Sequence, residues 1–256
     1  MQGSMLEAPP ATTAAITAAV AGTGLTRRYG DGDAAVDALC GVDITVPRGE
    51  FVAVMGPSGS GKSTLMHLLA GLDVPTEGTV HVDGEDLAGL SDDQLAKLRR
   101  TRVGFVFQSF NLVPTLSAEE NVVLPLQLAG ARVDQAWLEL VLDRVGLTGR
   151  RSHKPSELSG GQQQRVAVAR ALVTGPAVLF ADEPTGNLDS RSGAEVLGLL
   201  RDAVDTEGQT IVMVTHDPRA AAVADGVVFL ADGAVARELR DPTEESVIAT
   251  MAEVTA

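Results

Sequence analysis

A glycine-rich stretch, Gly56-Pro57-Ser58-Gly59-Ser60-Gly61-Lys62-Ser63, follows a short apolar run at 51–55 and opens a helix-like run at 62–71. The pattern G-x-x-x-x-G-K-[ST] between a strand and a helix has one well-defined physical use. Its glycines let the backbone close around a polyphosphate with N–H groups turned inward, and the helix start adds the positive end of its dipole. Lys62 brings a mobile positive charge to the β and γ phosphates, and the Ser63 hydroxyl suits Mg²⁺. The expected nucleotide-binding set here is Gly56, Ser58, Gly59, Ser60, Gly61, Lys62, Ser63 and Thr64. The motif alone leaves kinases, GTPases and ATPases open. It requires a strand on one side and a helix on the other, so it commits the chain to an α/β fold.

The rest of the sequence repeats that alternation. Apolar runs at 51–55, 103–107, 177–181 and 211–215 read as strands of a parallel sheet covered on both faces. Helix-like segments at 62–71, 91–100, 162–173 and 191–204 lie between them, giving an α/β architecture. Alternating segments at 41–46 and 80–82, with turn signals at Pro47-Arg48-Gly49 and Asp83-Gly84, read as an antiparallel flank. Residues 109–160 carry helix-like stretches at 118–129 and 134–145 and no clear strand, as an inserted helical subdomain would. On the second of these, Trp137, Leu138, Leu140, Val141 and Leu142 are expected to form a core face. The expected organisation is a flexible segment at 1–20, one domain at 21–240 and a tail at 241–256.

Composition narrows the function classes. Of 256 residues, 45% are hydrophobic, enough for a sizeable core. Twenty basic against 34 acidic side chains leave a formal charge of −14, which repels nucleic acid and anionic lipid, so neither is an expected partner. The single cysteine, Cys40, cannot close an intramolecular disulfide and is expected to be a small core residue. No run approaches the roughly 18 to 20 apolar residues that cross a bilayer.

Two further stretches carry chemistry. Val178-Leu179-Phe180-Ala181-Asp182-Glu183 is an apolar strand ending in two acids. Asp182 is placed to hold Mg²⁺, and Glu183 to orient and polarise an attacking water. Leu158-Ser159-Gly160-Gly161-Gln162 opens a helix, with Ser159 as its cap and two glycines exposing N–H groups to an anion. One chain seldom needs two γ-phosphate cradles. A head-to-tail homodimer, in which Ser159, Gly160, Gly161 and Gln162 of one chain close over the nucleotide in the other chain's loop, uses both.

The glycine loop, the Ser159 loop and the acid-tipped strand, in this order and spacing, resemble an ABC-family ATPase over residues 22–238. The resemblance implies a P-loop NTPase fold with a mainly parallel core sheet, an antiparallel β flank and an inserted helical subdomain, and hydrolysis of ATP with Mg²⁺. It assigns Tyr29 to stacking on adenine, ahead of the first strands. It assigns Gln108 to Mg²⁺ and the attacking water, Asp189 to the loop linking the two sites across the dimer, and His216 to the γ phosphate. A strand-end histidine also has a direct use, donating to developing negative charge. His67, His81 and His153 lack that placement, and the Arg99, Arg100 and Arg102 cluster reads as a solvated helix end.

Shorter motifs, Gly71-Leu72-Asp73 with Pro75-Thr76-Glu77-Gly78, residues 111–116 and Thr185-Gly186-Asn187-Leu188-Asp189, resemble one branch. It holds lipoprotein-releasing, macrolide-exporting and antimicrobial-peptide-resistance ATPases and a cell-division ATPase. The resemblance implies an integral-membrane permease partner with its own transmembrane helices, docked near residues 108–125 through Phe110, Leu112 and Leu116, at the cytoplasmic face of the membrane. Two alternatives share the motor: a non-transporting signalling ATPase of the cell-division type, and a soluble ATPase acting on nucleic acid or ribosomes. The −14 charge disfavours the second.

Overall fold

A computed structural model describes residues 18–255. The flexible lead-in expected at 1–20 lies outside the described residues up to 17, and its last three residues belong to the first strand. There Ala18, Ala19 and Val20 are buried, because β1 (Ala18–Tyr29) pairs antiparallel with β2 (Val36–Pro47) from Ala18 onward.

The chain continues through β3 (Phe51–Met55), α1 (Lys62–Leu69), β4 (Glu77–Val82), β5 (Glu85–Asp86), α2 (Asp92–Arg102) and β6 (Val103–Phe107). Next come α3 (Ala118–Leu128), α4 (Gln135–Arg144), α5 (Gly160–Leu172), β7 (Val178–Asp182) and α6 (Ser190–Glu207). It closes with β8 (Ile211–Val214), α7 (Pro218–Ala221), β9 (Gly226–Ala231), β10 (Ala234–Arg240) and α8 (Glu244–Val254).

The central sheet has the order β10-β9-β3-β8-β7-β6. Its pairs from β9 to β6 are parallel, and β10 joins antiparallel. The period of two in each strand divides the core. Phe51, Ala53 and Met55, Leu179 and Ala181, and Ile211 and Met213 face one apolar cluster, shared with α3, α4, α5 and α6. Val52 and Val54, Val178 and Phe180, and Val212 and Val214 face the other, shared with α1 and the antiparallel sheet β2-β1-β4-β5. Apolar side chains on both faces are what make these runs continuous in sequence. Phe51, Phe180 and Phe229 are fully buried, each contributing on the order of 2–3 kcal/mol of transfer free energy.

Period and register account for two departures from expectation, and tertiary contacts for two more. Cys40 is exposed, not a core residue. In β2, Val42, Ile44 and Val46 point inward, but the ladder slips between Leu25↔Val42 and Thr26↔Cys40. Gly41, at φ 80°, takes up this bulge, so Leu39 turns inward and Cys40 outward. Leu140 is 41% exposed, because the inward stripe of α4 is Leu138, Val141, Leu142 and Val145, at i, i+3, i+4 and i+7. Trp137 is only half-buried and donates from Nε1 to the carbonyl of Val173 at 3.0 Å. The arginine cluster is not simply solvated: Arg99 donates to the Gly71 carbonyl at 2.6 Å, Arg100 to Leu128, and Arg102 pairs with Asp83.

The helices of the insertion start where the sequence supplies caps. Ser117 and Glu120 form a reciprocal capping box on α3, and Asp134 accepts the amides of Ala136 and Trp137 on α4. Helix α8, for which the sequence offers no motif, seats fully buried Val247 in the larger core. Among the described residues, no helix is long and apolar enough to cross a membrane.

Candidate active site

Parallel pairing aligns strand ends, and the registers Val54↔Val214, Val214↔Asp182 and Asp182↔Phe107 set β3, β8, β7 and β6 side by side. The residues just past those ends are therefore neighbours along one edge: Gly56 after β3, His216 after β8, Glu183 after β7 and Gln108 after β6. Strands lie about 4.8 Å apart, so the row spans roughly 14 Å. This is the carboxyl edge of a parallel sheet, where such folds gather ligand chemistry.

The loop at 56–63 is shaped by two glycines in particular. A Cβ on Gly56 (φ 150°) would lie 2.1 Å from the Leu230 carbonyl oxygen, and one on Gly61 (φ 99°) 2.4 Å from that of Ala38. Only glycine fits either place. Gly61 starts α1 without a side-chain cap and with no acidic residue in its first turn. In contrast, α2, α3, α5 and α8 carry capping boxes, and Asp134 and Asp189 cap α4 and α6. The first-turn amides of α1 are thus open to an anion. Lys62 Nζ crosses the loop, donating to the carbonyls of Gly56 (2.9 Å) and Pro57 (2.7 Å). Burial lowers its pKa, while the charge of Glu183 raises it. Ser60 is buried, and among the described residues its Oγ has no partner. Ser58, Gly59 and Ser63 are exposed, with Thr64 half-buried beside them.

Polyphosphate and Mg²⁺ fit this donor set. The orphaned Ser60 Oγ and the uncapped amides are donors awaiting an acceptor, and Ser63, Asp182 and Gln108 offer only oxygens to a hard cation. Asp182 is half-buried at the end of β7; burial and the neighbouring Glu183 lift its carboxyl above the usual range, with His67 opposing.

Glu183 is held in the left-handed region, at φ 46°, by two backbone bonds: its amide donates to Val214 and its carbonyl accepts from Gly186. Its Oε1 lies 2.7 Å from His216 Nδ1. Two candidate catalytic groups 33 residues apart in sequence are thereby in direct contact. Gln108 is exposed and donates from Nε2 to Asn187 Oδ1 (3.1 Å), while Asn187 Nδ2 donates to the Gln108 carbonyl (3.0 Å).

The other devices sit apart from the phosphate loop. Ser159 caps α5, accepting from the Gln162 amide at 3.3 Å while Gln162 Oε1 accepts from the Ser159 amide at 3.0 Å. Gly160 lies against Leu188 and Phe110, Gly161 against Ser192. Among the described residues, no hydrogen bond joins 159–162 to 56–63 of the same chain. Asp189 caps α6, accepting the amides of Arg191 and Ser192 at 3.0 Å each and the Ser192 hydroxyl at 2.7 Å. The amide and hydroxyl of Ser192 hold its carboxyl below the usual range. Tyr29 is the last residue of β1 instead of preceding the strands, and it is 39% exposed.

Sequence reasoning passed over Gln164. It is fully buried on α5, and its Nε2 donates to the carbonyls of Phe107 and Pro184, tying down the chain on either side of Gln108 and Glu183. A glutamine on the inward face of an otherwise Val/Ala-lined helix was the available signal. The expected docking residues Phe110, Leu112 and Leu116 are half-buried, Leu112 against the larger core; Val113 is the exposed apolar residue there. Nearby, a cleft of about 310 Å³ is floored by Phe105 and Phe107 and edged by Arg99, Arg100, Arg170 and Pro125.

A family model described as ABC transporter matches residues 39–186. The macrolide export ATP-binding/permease protein MacB 1 of Aeromonas hydrophila is 51% identical over 227 residues, 88% of this chain and 35% of the relative. MacB of Escherichia coli is 49% identical over 214 residues, 83% of this chain and 33% of the relative. The chain thus spans about a third of the length of the curated relatives it matches. Among solved structures, the cassette MJ0796, a dimer in a post-hydrolysis state bound to ADP and Pi, superposes with a TM-score of 0.78 at 42% identity, over 88% of this chain and 99% of that one. The cbiO1 protein of Clostridium perfringens, part of the ABC transporter complex cbiONQ, gives 0.79 at 29% identity over 91% of each chain.

Proposed function

The chain belongs to the ABC transporter family, and from that premise we propose that it is the subunit that binds and hydrolyses ATP in a membrane transport complex, driving a permease by closing a head-to-tail homodimer over two nucleotides. The observation that carries this reading is the row at the carboxyl edge of the sheet: the uncapped loop of α1, the Glu183–His216 contact and Gln108, on adjacent strand ends.

In this reading Gly56, Ser58, Gly59, Ser60, Gly61, Lys62, Ser63 and Thr64 hold the phosphates, and Tyr29 holds the base. Ser63, Asp182 and Gln108 would hold Mg²⁺, which when bound would supply positive charge to the phosphoryl oxygens. Glu183 accepts the proton of the attacking water or orients it, and His216, in contact with Oε1, positions that carboxylate and donates toward the γ phosphate. Ser159, Gly160, Gly161 and Gln162 complete the neighbouring chain's site, with Asp189 linking the two.

The permease docks on residues 108–125 and the arginine-edged cleft beside them, which suits a helix carrying an acidic group and an apolar side chain. The protein then works peripherally at the cytoplasmic face of the membrane. The MacB relatives support an export role; macrolide export is what their names state, and the substrate follows the permease. Lys62→Ala tests the site itself. Its ATP affinity, measured by calorimetry, should fall at least about tenfold through loss of the phosphate-facing charge; unchanged affinity would remove the loop from phosphate binding.

A further inference from the structure

Tyr29 is the only tyrosine in the chain, and it is clasped. Its hydroxyl donates to Asp73 Oδ2 at 2.7 Å. Arg27, two residues earlier and so on the same face of β1, donates from Nε to that oxygen at 2.9 Å, and its Nη2 lies 2.8 Å from Oδ1. The guanidinium carbon stands 4.5 Å from the centre of the Tyr29 ring, within cation–π range. Asp73 is itself anchored: Oδ1 also accepts the Val74 amide at 2.8 Å, and the Asp73 amide donates to the His67 carbonyl on α1 at 3.2 Å. One end of the ring is therefore tethered and one face covered, while the residue stays 39% exposed. Tyr29 pairs with Val36 across the ladder, and two residues further the Ala38 carbonyl lies against Gly61. The end of β1 that carries Tyr29 thus lies beside the segment of β2 that backs the phosphate loop.

We propose that Arg27 and Asp73 are positioning residues for nucleotide binding: they lock the Tyr29 ring as a platform on whose uncovered face the purine of ATP stacks. The inference rests on the assignment of Tyr29 to the base. A free tyrosine loses rotamer freedom when a base stacks on it, and a clasped ring has already lost it. Arg27 fills the covered face with a cation that is attracted to the same π system. The clasp therefore acts on the base-dependent part of affinity and leaves the phosphate-dependent part alone.

The test uses the sole tyrosine. The full chain is labelled with 3-fluorotyrosine, and its single ¹⁹F resonance is followed with MgATP and with inorganic tripolyphosphate as probes. In the wild type, ATP moves the resonance and tripolyphosphate leaves it in place. Asp73→Ala, which keeps the ring but frees it, should lower ATP affinity about 3- to 10-fold, a part of what one stacked base contributes, with tripolyphosphate affinity unchanged within about 2-fold. Arg27→Met should shift the same ratio in the same direction. Asp73→Asn, which keeps one acceptor oxygen where the carboxylate has two, should fall between the wild type and Asp73→Ala. An unchanged ATP-to-tripolyphosphate ratio in both Asp73→Ala and Arg27→Met overturns the inference. A wild-type resonance that ATP does not move, with tripolyphosphate still bound, removes Tyr29 from the site and the clasp's role with it, leaving the phosphate loop intact.

Discussion

Asp182 is half-buried beside a second carboxylate, and burial, then the charge of Glu183, lift its carboxyl above the usual range, with His67 opposing. A folded-state pKa raised above the unfolded value of about 3.9 means that the folded chain holds the proton longer, so this group's contribution to stability declines as pH rises through that window. Asp182→Asn removes the decline. The nucleotide-free variant should melt at a higher temperature than the wild type at neutral pH and show a flatter stability profile above pH about 4, while losing Mg²⁺-dependent ATPase activity; a lower melting temperature at neutral pH contradicts the electrostatic argument. At this scale the sequence was legible where a chemical group ends or closely follows an apolar strand, as Asp182, Glu183 and His216 do, or opens the helix after a glycine loop, as Lys62 does. It was not legible where contacts cross the fold. The Glu183–His216 contact and the Gln108–Asn187 amide pair join segments 33 and 79 residues apart, and the outward turn of Cys40 depends on a bulge that shifts the ladder.

Helix starts differ among the elements in how their first amides are satisfied. Among the described residues, the seven helices α2 to α8 have side-chain caps; α1 has none and begins on a glycine whose substitution would press Cβ against the Ala38 carbonyl. Gly61→Ala should therefore abolish measurable ATP binding, read by calorimetry, through displacement of the loop. Wild-type affinity in that variant would show that the loop has room its geometry denies. Gln164→Leu tests the buried strut of α5. Two carbonyls lose their donor, so stability should fall by about 1–3 kcal/mol in denaturant unfolding, and ATPase activity should fall with it as Gln108 and Glu183 loosen. Equal stability would show that those carbonyls find other partners. The central strands and the helices between them were readable because apolar runs and caps are local signals. Strand β1 was hidden by its Ala, Gly and Thr content, and α8 has a cap in Thr243 but no motif to mark it.

Among the described residues, two apolar clusters lie one on each face of the central sheet, and the catalytic candidates stand in a row on one edge. The mixed architecture followed from alternating strand and helix signals; the second, four-stranded sheet needed the pairing of β1 between β2 and β4, which no local pattern shows. The phosphate loop and the Ser159 loop belong to different parts of the same chain and share no hydrogen bond among the described residues. Helix α5 opens on Gly160 and Gly161, its Ser159 cap takes the Gln162 amide, and it stands apart from its own chain's nucleotide loop; that separation is the basis of the proposed second copy. Glu183→Gln keeps the phosphate loop and removes the proton acceptor, so hydrolysis should slow by about 10²-fold or more with ATP still bound. The most direct measurement is the mass of the purified Glu183→Gln chain by light scattering with saturating MgATP. A mass doubling from one chain to two, reversed when ATP is withdrawn, is the predicted result. A single-chain mass with both ligands bound would contradict the shared site.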